Sequence, residues 1–150
     1  MFGATGSLRA VAGRFYRLRA LPESASSARA YVQVRMAMYG RPDLLDTAQL
    51  VASELVSNAV KATAAGCAHL EMWGGSPVPV IGLSVYPMFN RVVTEVWDCS
   101  PEPPRLVEAD DDSESGRGLL LVHMLSAGLW GYRRPRTGGK VVYATIGAEL

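Results

Sequence analysis

The chain has 150 residues, of which 49% are hydrophobic and 19% charged, and its formal net charge is +1. This length and composition predict one globular domain with a sizeable core. The near-neutral charge gives no reason to expect a nucleic acid or an anionic membrane as a partner. Because no run of about 18 apolar residues occurs and residues 1–7 lack the pattern of a secretory signal, we expect a cytoplasmic protein without a membrane span.

The first third of the chain predicts a short strand and then a helix. Arg14–Ala20 has the alternating, aromatic character of a strand. The stretch from about Ala25 to Tyr39 places apolar residues at helical spacing, and Gly40 ends it. Ser24 and Ser26 are the candidate N-caps of this helix.

The clearest helical pattern follows. Asp43 offers an N-cap, the helix runs through about Ala65, and Gly66 ends it. Its apolar face consists of Leu44, Ala48, Val51, Ala52, Leu55, Val56, Ala59 and Ala62.

Strands dominate the middle of the chain. Cys67–Trp73 is a weak strand or a loop, and Gly74–Pro79 has the composition of a linker. Val80–Tyr86 and Arg91–Trp97 are clearer strands, and a turn through Pro87 and Asn90 joins them into a predicted hairpin.

The last third predicts a loop, a helix and a hairpin. Ser100–Ser115 is rich in proline and acidic residues, which favours a mobile loop. Gly118 to about Ala127 reads as a helix buried on most sides, and Trp130–Arg133 with Val141–Ile146 form the closing hairpin. The whole order predicts an α/β (α+β) two-layer sandwich, with helices on one face of a mostly antiparallel mixed sheet.

The two cysteines and the two histidines do not form a recognisable metal-binding, redox or phosphoacceptor motif. Cys67 and Cys99 form neither a CxxC pair nor a cysteine-rich framework, so we interpret each as a small buried hydrophobic residue rather than as a disulfide or metal residue. His69 and His123 are the only histidines, and we interpret both as packing or surface residues.

Three polar residues of the long helix share one face. At about 100° per residue, Asn58 lies about 40° from Glu54, and Lys61 about 20° from it on the other side. An Asn oxygen suits Mg²⁺, a Glu can orient or deprotonate a hydroxyl, and a Lys can neutralise phosphate charge. The alternative is an ordinary solvated helix face.

Two further features suggest a nucleotide pocket. Asp98 ends an apolar strand, where it can either form an Asx turn or accept a hydrogen bond from an exocyclic amine of a base. Gly116 and Gly118 flank the start of a helix, where backbone N–H groups can approach phosphates, although a glycine before an apolar helix is also common.

These segments together resemble the GHKL (histidine kinase-like) ATPases, and most closely the bacterial anti-sigma-factor serine/threonine kinases and their single-domain ATP-binding relatives. The resemblance covers about residues 15–146. The segments that carry it are Glu54–Lys61, Val96–Asp98, Glu114–Leu119, Trp130–Gly131 and Gly138–Lys140.

The resemblance implies a Bergerat-type fold that binds ATP and Mg²⁺. In it Glu54 matches the general base, Asn58 the Mg²⁺ ligand, Lys61 a phosphate-facing residue and Asp98 the carboxylate that reads adenine. The segment Gly116, Arg117, Gly118 and Leu119 matches the phosphate-binding turn. We expect residues 1–12 to be a flexible N-terminus and 13–150 a single GHKL domain, with 100–115 as the ATP lid.

The chain departs from the family pattern at two places. The glycine that usually follows two residues after the aspartate is replaced by Ser100, which precedes Pro101. The threonine often found after the last glycine box is missing, because Lys140 and Val141 occupy that region.

Three functions are compatible with this resemblance. The first is an anti-sigma factor that phosphorylates a serine or threonine of its antagonist protein, with a sigma factor, the antagonist and possible homodimerisation as its interactions. The second is a non-catalytic or weakly ATP-binding regulator that sequesters a partner. The third, a histidine-kinase catalytic domain, is disfavoured because no helical dimerisation segment precedes the domain.

Overall fold

A computed structural model describes residues 15–67, 69–105 and 117–147. The helices are α1 (Ser24–Met38), α2 (Leu45–Ala64) and α3 (Arg117–Leu125). The strands are β1 (Tyr16–Arg19), β2 (Leu70–Trp73), β3 (Ser76–Met88), β4 (Arg91–Asp98), β5 (Trp130–Arg133) and β6 (Lys140–Ile146). This order of elements agrees with the sequence prediction.

The strands form one open sheet in the order β1-β3-β4-β6-β5, and β2 pairs with the first part of β3. Each pairing between described strands is antiparallel. The predicted α+β sandwich is therefore confirmed.

The helices cover one face of this sheet and enclose the main core. Successive residues of a strand point to opposite faces, so Val96 of β4 packs in this core whereas Trp97 lies on the other side. Helix α2 contributes most to the core, with Ala48, Val51, Ala52, Leu55, Val56 and Ala59 all buried. None of the helices within the described ranges has both the length and the apolarity needed to cross a bilayer.

A smaller apolar cluster lies on the opposite face of the sheet. Trp97 is fully buried there, and its neighbours are Phe15, Val80, Cys99 and Val141. This face is therefore partly closed at the end of the sheet where β4 finishes and β6 begins.

The structure corrects the predicted N-caps: Glu23 and Leu44 are the N-cap residues of α1 and α2, neither makes a side-chain capping hydrogen bond, and Ser26 lies inside α1. Asp43 lies inside a 3₁₀ turn, Pro42–Leu44, and its carboxylate pairs with Arg41 instead of capping α2. Ser24 is the first residue of α1, and its hydroxyl donates to the carbonyl of Arg19 at the end of β1.

The predicted linker at 74–79 is wrong, because β3 already begins at Ser76 and forms a hairpin with β2. Gly74 and Gly75, at φ of 60° and 87°, are the two turn residues. Positive φ at both central positions matches the twist of a two-residue hairpin. The helix α3 is also less buried than predicted, since His123 and Met124 are exposed.

The interpretation of the cysteines as unpaired is also wrong. Cys67, just beyond α2, and Cys99, just beyond β4, form a disulfide with their Cα atoms 5.8 Å apart. No motif predicts this pair, because the partners are 32 positions apart in the sequence and meet only through the fold.

Candidate functional site

A cavity of about 490 Å³ opens between α2 and the adjoining ends of β4 and β6. Its apolar wall includes Leu55 from the helix together with Val96 and Val142 from the sheet. Apolar walls with a few convergent polar groups are typical of small-molecule sites. The polar side chains that line it are Asn58, Lys61, Asp98, Ser100, Glu102, Arg105 and Lys140.

The structure thus brings together three of the residues singled out from the sequence. Asn58 and Lys61 lie one turn apart on α2, and Asp98 faces them from the end of β4. Asn58 is half-buried, whereas Lys61 is exposed in the last turn of the helix. The cavity therefore has an exposed lysine on its helix side and a buried ion pair of Asp98 with Lys140 at the strand ends.

Glu54 lies one turn before Asn58 and is half-buried against the first turn of α3. A Cβ atom built on Gly118 would overlap Oε1 of Glu54. The absence of a side chain at Gly118 therefore leaves room for the Glu54 carboxylate. This contact brings together two motifs that lie 64 positions apart in the sequence.

Asp98 is almost completely buried, with 1% of its surface exposed. Its Oδ1 atom accepts hydrogen bonds from the backbone N–H of Ser100 at 2.9 Å and from Nζ of Lys140 at 2.9 Å. Burial raises the pKa of the Asp98 carboxyl to about 6, and the charge and hydrogen bond of Lys140 oppose that rise. The Asx turn considered from the sequence is therefore present, and it uses only one of the two carboxylate oxygens.

Ser100 and Lys140, the two departures from the family pattern, both take part in the site. Lys140 is 3% exposed, and its Nζ also donates to the carbonyl oxygen of Ser100 at 3.3 Å. The Ser100 hydroxyl accepts a hydrogen bond from the N–H of Glu102 at 3.2 Å. These contacts fix the start of the segment predicted to be a lid.

The turn between β5 and β6 contacts the end of β4 at Trp97 and Asp98. Trp97 donates from its indole N–H to the carbonyl of Gly138 at 3.3 Å. Gly139 has a φ of 73°, and a Cβ atom there would overlap the backbone oxygen of Asp98. Glycine is therefore required both by the left-handed backbone and by the close approach.

The remaining predicted residues lie near the start of α3. Gly116 and residues 106–115 of the predicted lid lie outside the described residues, as does the side chain of Arg117. Leu119 packs in the main core, so its backbone N–H in the first turn is the group left for a ligand. Arg105 lines the cavity and was not identified from the sequence, because a single arginine after a proline pair has no distinctive pattern.

The fold and the cavity define an α+β sandwich with a concave site suited to a small molecule. A comparison with protein families matches residues 18–146 to the histidine kinase-like ATPase domain. The chain therefore belongs to the histidine kinase-like ATPase family. A comparison with curated protein sequences gives no match.

Family membership implies ATP as the ligand, usually with Mg²⁺, and the residues of the cavity fit both. Asn58 supplies a neutral oxygen donor, which suits a hard cation. Within the described ranges no group of three or more His, Cys, Asp or Glu side chains is placed to hold a metal ion. Mg²⁺ commonly completes its coordination with phosphate oxygens and water, so a single neutral oxygen from Asn58 would be compatible with it.

Proposed function

We propose that this protein is an ATP-dependent serine/threonine protein kinase that regulates a protein partner. The observation that carries the proposal is the convergence of Asn58, Lys61 and Asp98 on one cavity, with Glu54 beside it against Gly118. In this arrangement Asp98 binds the base, and Asn58 with Lys61 binds the phosphate end. The carboxylate of Glu54 stays close to the phosphate end without binding the phosphates.

The proposed reaction is transfer of the γ-phosphoryl group to a hydroxyl. The serine or threonine oxygen forms a bond to the γ-phosphorus, the bond from that phosphorus to the bridging oxygen breaks, and ADP leaves. Glu54 takes the hydroxyl proton as general base. Bound Mg²⁺ supplies neutralisation of phosphate charge, with Asn58 as its protein ligand, and Lys61 adds a further positive charge.

The proposed domain spans residues 13–150, with residues 100–115 as the lid. The first part of this lid is anchored, because the backbone of Ser100 forms hydrogen bonds with the side chains of Asp98 and Lys140. The segments Gly116 and Arg117 would extend the phosphate site at the start of α3. The N–H groups of the first turn of a helix, such as those of Gly118 and Leu119, are suited to phosphate oxygens.

The proposed biological role is that of an anti-sigma factor. The substrate hydroxyl then belongs to an antagonist protein, and a second surface of the same chain holds the sigma factor. Homodimerisation is part of this proposal, and so is a cytoplasmic location, where a reducing environment would keep Cys67 and Cys99 as thiols. The resemblance of the motif order to the single-domain anti-sigma-factor kinases supports it.

A second candidate is a regulator that binds ATP weakly and acts by sequestering a partner. The departures from the family pattern at Ser100 and at Val141 favour this possibility, because they stand where the family usually has a glycine and often has a threonine. Both candidates predict a partner complex, and only the first predicts phosphoryl transfer.

The test is a transfer assay with ATP labelled on the γ-phosphate and candidate antagonist proteins. We expect the wild-type protein to label a serine or threonine of one antagonist. Glu54→Ala is expected to keep Mg-ATP binding and to lose transfer by a factor of about 100 or more. The matched control is Glu23→Ala, because Glu23 is exposed before α1 and makes no capping hydrogen bond through its side chain.

Two outcomes would contradict the kinase proposal. One is a tight complex with the antagonist and Mg-ATP bound but no labelled serine or threonine, which supports the sequestering regulator. The other is equal transfer by Glu54→Ala and Glu23→Ala, which removes Glu54 from the reaction.

A further inference from the structure

Lys140 is buried at the end of the cavity that is proposed to bind the base. The resemblance to the family indicated only that a threonine is missing in this region. The residue begins β6 and stands directly opposite Asp98 in the pairing of β4 with β6. Only 3% of its surface is exposed. A lysine rarely occupies such a place unless it is paired, so its contacts define what it does.

The contacts of Lys140 are directed at Asp98 and at Ser100, the residue whose N–H closes the Asx turn. Its Nζ lies 2.9 Å from Oδ1 of Asp98 and 3.3 Å from the carbonyl oxygen of Ser100. Oδ1 also accepts the Ser100 N–H, while Oδ2 accepts no hydrogen bond from any residue in the described part of the chain. Asp98 lines the cavity, so this second oxygen is the one available to a ligand.

The environment of Asp98 makes its charge depend on Lys140. Desolvation raises the pKa of the carboxyl, and Lys140 lowers it through charge and hydrogen bonding. The other charged groups that line the cavity are Lys61 on α2 and, beyond β4, Glu102 and Arg105. Only Lys140 among these forms an ion pair with Asp98. Without this partner a buried carboxyl takes up a proton and changes from an acceptor into a donor.

We propose that Lys140 is a positioning residue for base recognition, which holds Oδ1 of Asp98 so that a charged Oδ2 faces the cavity and selects a base with an exocyclic amine. The inference rests on the proposed nucleotide site and concerns the residue that sets the specificity of this site for the base. A 6-amino group donates to Oδ2, whereas a 6-oxo group places an acceptor against an acceptor. The expected order of affinity is therefore ATP above inosine triphosphate.

The experiment is a calorimetric titration of the full chain with Mg-ATP and with Mg-inosine triphosphate between pH 5.5 and 8.5. In Lys140→Met we expect ATP affinity near pH 7 to fall about tenfold or more, and the preference for ATP over inosine triphosphate to shrink by a similar factor. The lost ATP affinity returns as the pH is raised, because Asp98 then loses its proton. Lys140→Arg, which keeps the charge and the donors, is expected to retain the wild-type preference.

A double-mutant cycle separates positioning from a general structural effect. If Lys140 acts through Asp98, then Lys140→Met adds no further loss of ATP affinity in an Asp98→Asn background. Lys140→Gln keeps hydrogen-bond donors without the charge, and it replaces Lys140→Met if that variant does not fold. For Lys140→Gln, as for Lys140→Met, we expect the lost ATP affinity to return as the pH is raised.

The outcomes distinguish this inference from the proposed function. In one outcome the wild-type protein binds Mg-ATP, and the uncharged Lys140 variants show the same pH profile and the same preference for ATP as the wild type. This result overturns the role of Lys140 only. Wild-type protein that binds neither nucleotide overturns the nucleotide site and the inference together. Additive losses in the double-mutant cycle show that Lys140 does not act through Asp98.

Discussion

The buried carboxyl of Asp98 predicts a specific dependence of stability on pH. Its pKa in the folded protein is about 6, against 3.8 for the ordinary carboxyl. As pH falls through about 6 the folded protein binds a proton at Asp98, whereas the unfolded chain binds it only near 4. The free energy of unfolding therefore rises as pH falls through this window, and this contribution is absent at higher pH.

The size of the effect follows from the difference between the two pKa values. The full difference corresponds to about 3 kcal/mol, of which about 2 kcal/mol falls between pH 7.5 and 4.5. Urea unfolding at these two pH values, for wild-type protein and for Asp98→Asn, measures it. Other groups titrate in both proteins, so the quantity of interest is the difference between their pH responses.

We expect the wild-type protein to gain about 2 kcal/mol more than Asp98→Asn when the pH is lowered from 7.5 to 4.5. A smaller or equal gain in the wild type would mean that this carboxyl titrates near its ordinary value. In that case the account of a desolvated carboxylate held by Lys140 is wrong.

Three further predictions follow from the packing. Replacing Cys67 and Cys99 by serine lowers the free energy of unfolding by about 4 kcal/mol, because the disulfide closes a loop across 32 positions; an unchanged urea midpoint contradicts this. Gly118→Ala displaces the Glu54 carboxylate and reduces phosphoryl transfer at least about tenfold with little change in melting temperature, whereas full transfer argues against the contact between these residues. Thr94→Val raises the free energy of unfolding by about 1 kcal/mol in urea unfolding, because the buried Thr94 hydroxyl has no hydrogen-bond partner among the described residues; a loss would show that the hydroxyl is satisfied.

The parts of the fold that could be predicted are those with local signals. The strand composition of 80–86 and 91–97 predicted the central hairpin, and Gly66 predicted the end of α2. The segment 74–79 was misread because its prolines argue against a strand interior. Its pairing with β2 is made possible by the glycine turn that precedes it.

Spacing on one helix predicted which polar side chains share a face. Of these, Asn58 and Lys61 line the cavity, whereas Glu54 lies against Gly118 and is not among the lining residues. Lys140 and the disulfide were not predictable in the same way, because each depends on residues brought together across the sheet. The one usable signal for Lys140 was that a buried Asp98 needs a positive partner, and the register of β4 with β6 supplies it.

The most direct test of the account is a calorimetric titration of Mg-ATP into the wild-type protein, Asp98→Asn and the control Asp46→Asn. Asp46 is exposed in the first turn of α2, away from the residues that line the cavity. The account predicts that the wild type and the control bind Mg-ATP alike, and that Asp98→Asn loses at least about a hundredfold in affinity. Equal affinity in all three proteins would show that the cavity does not read the base through Asp98.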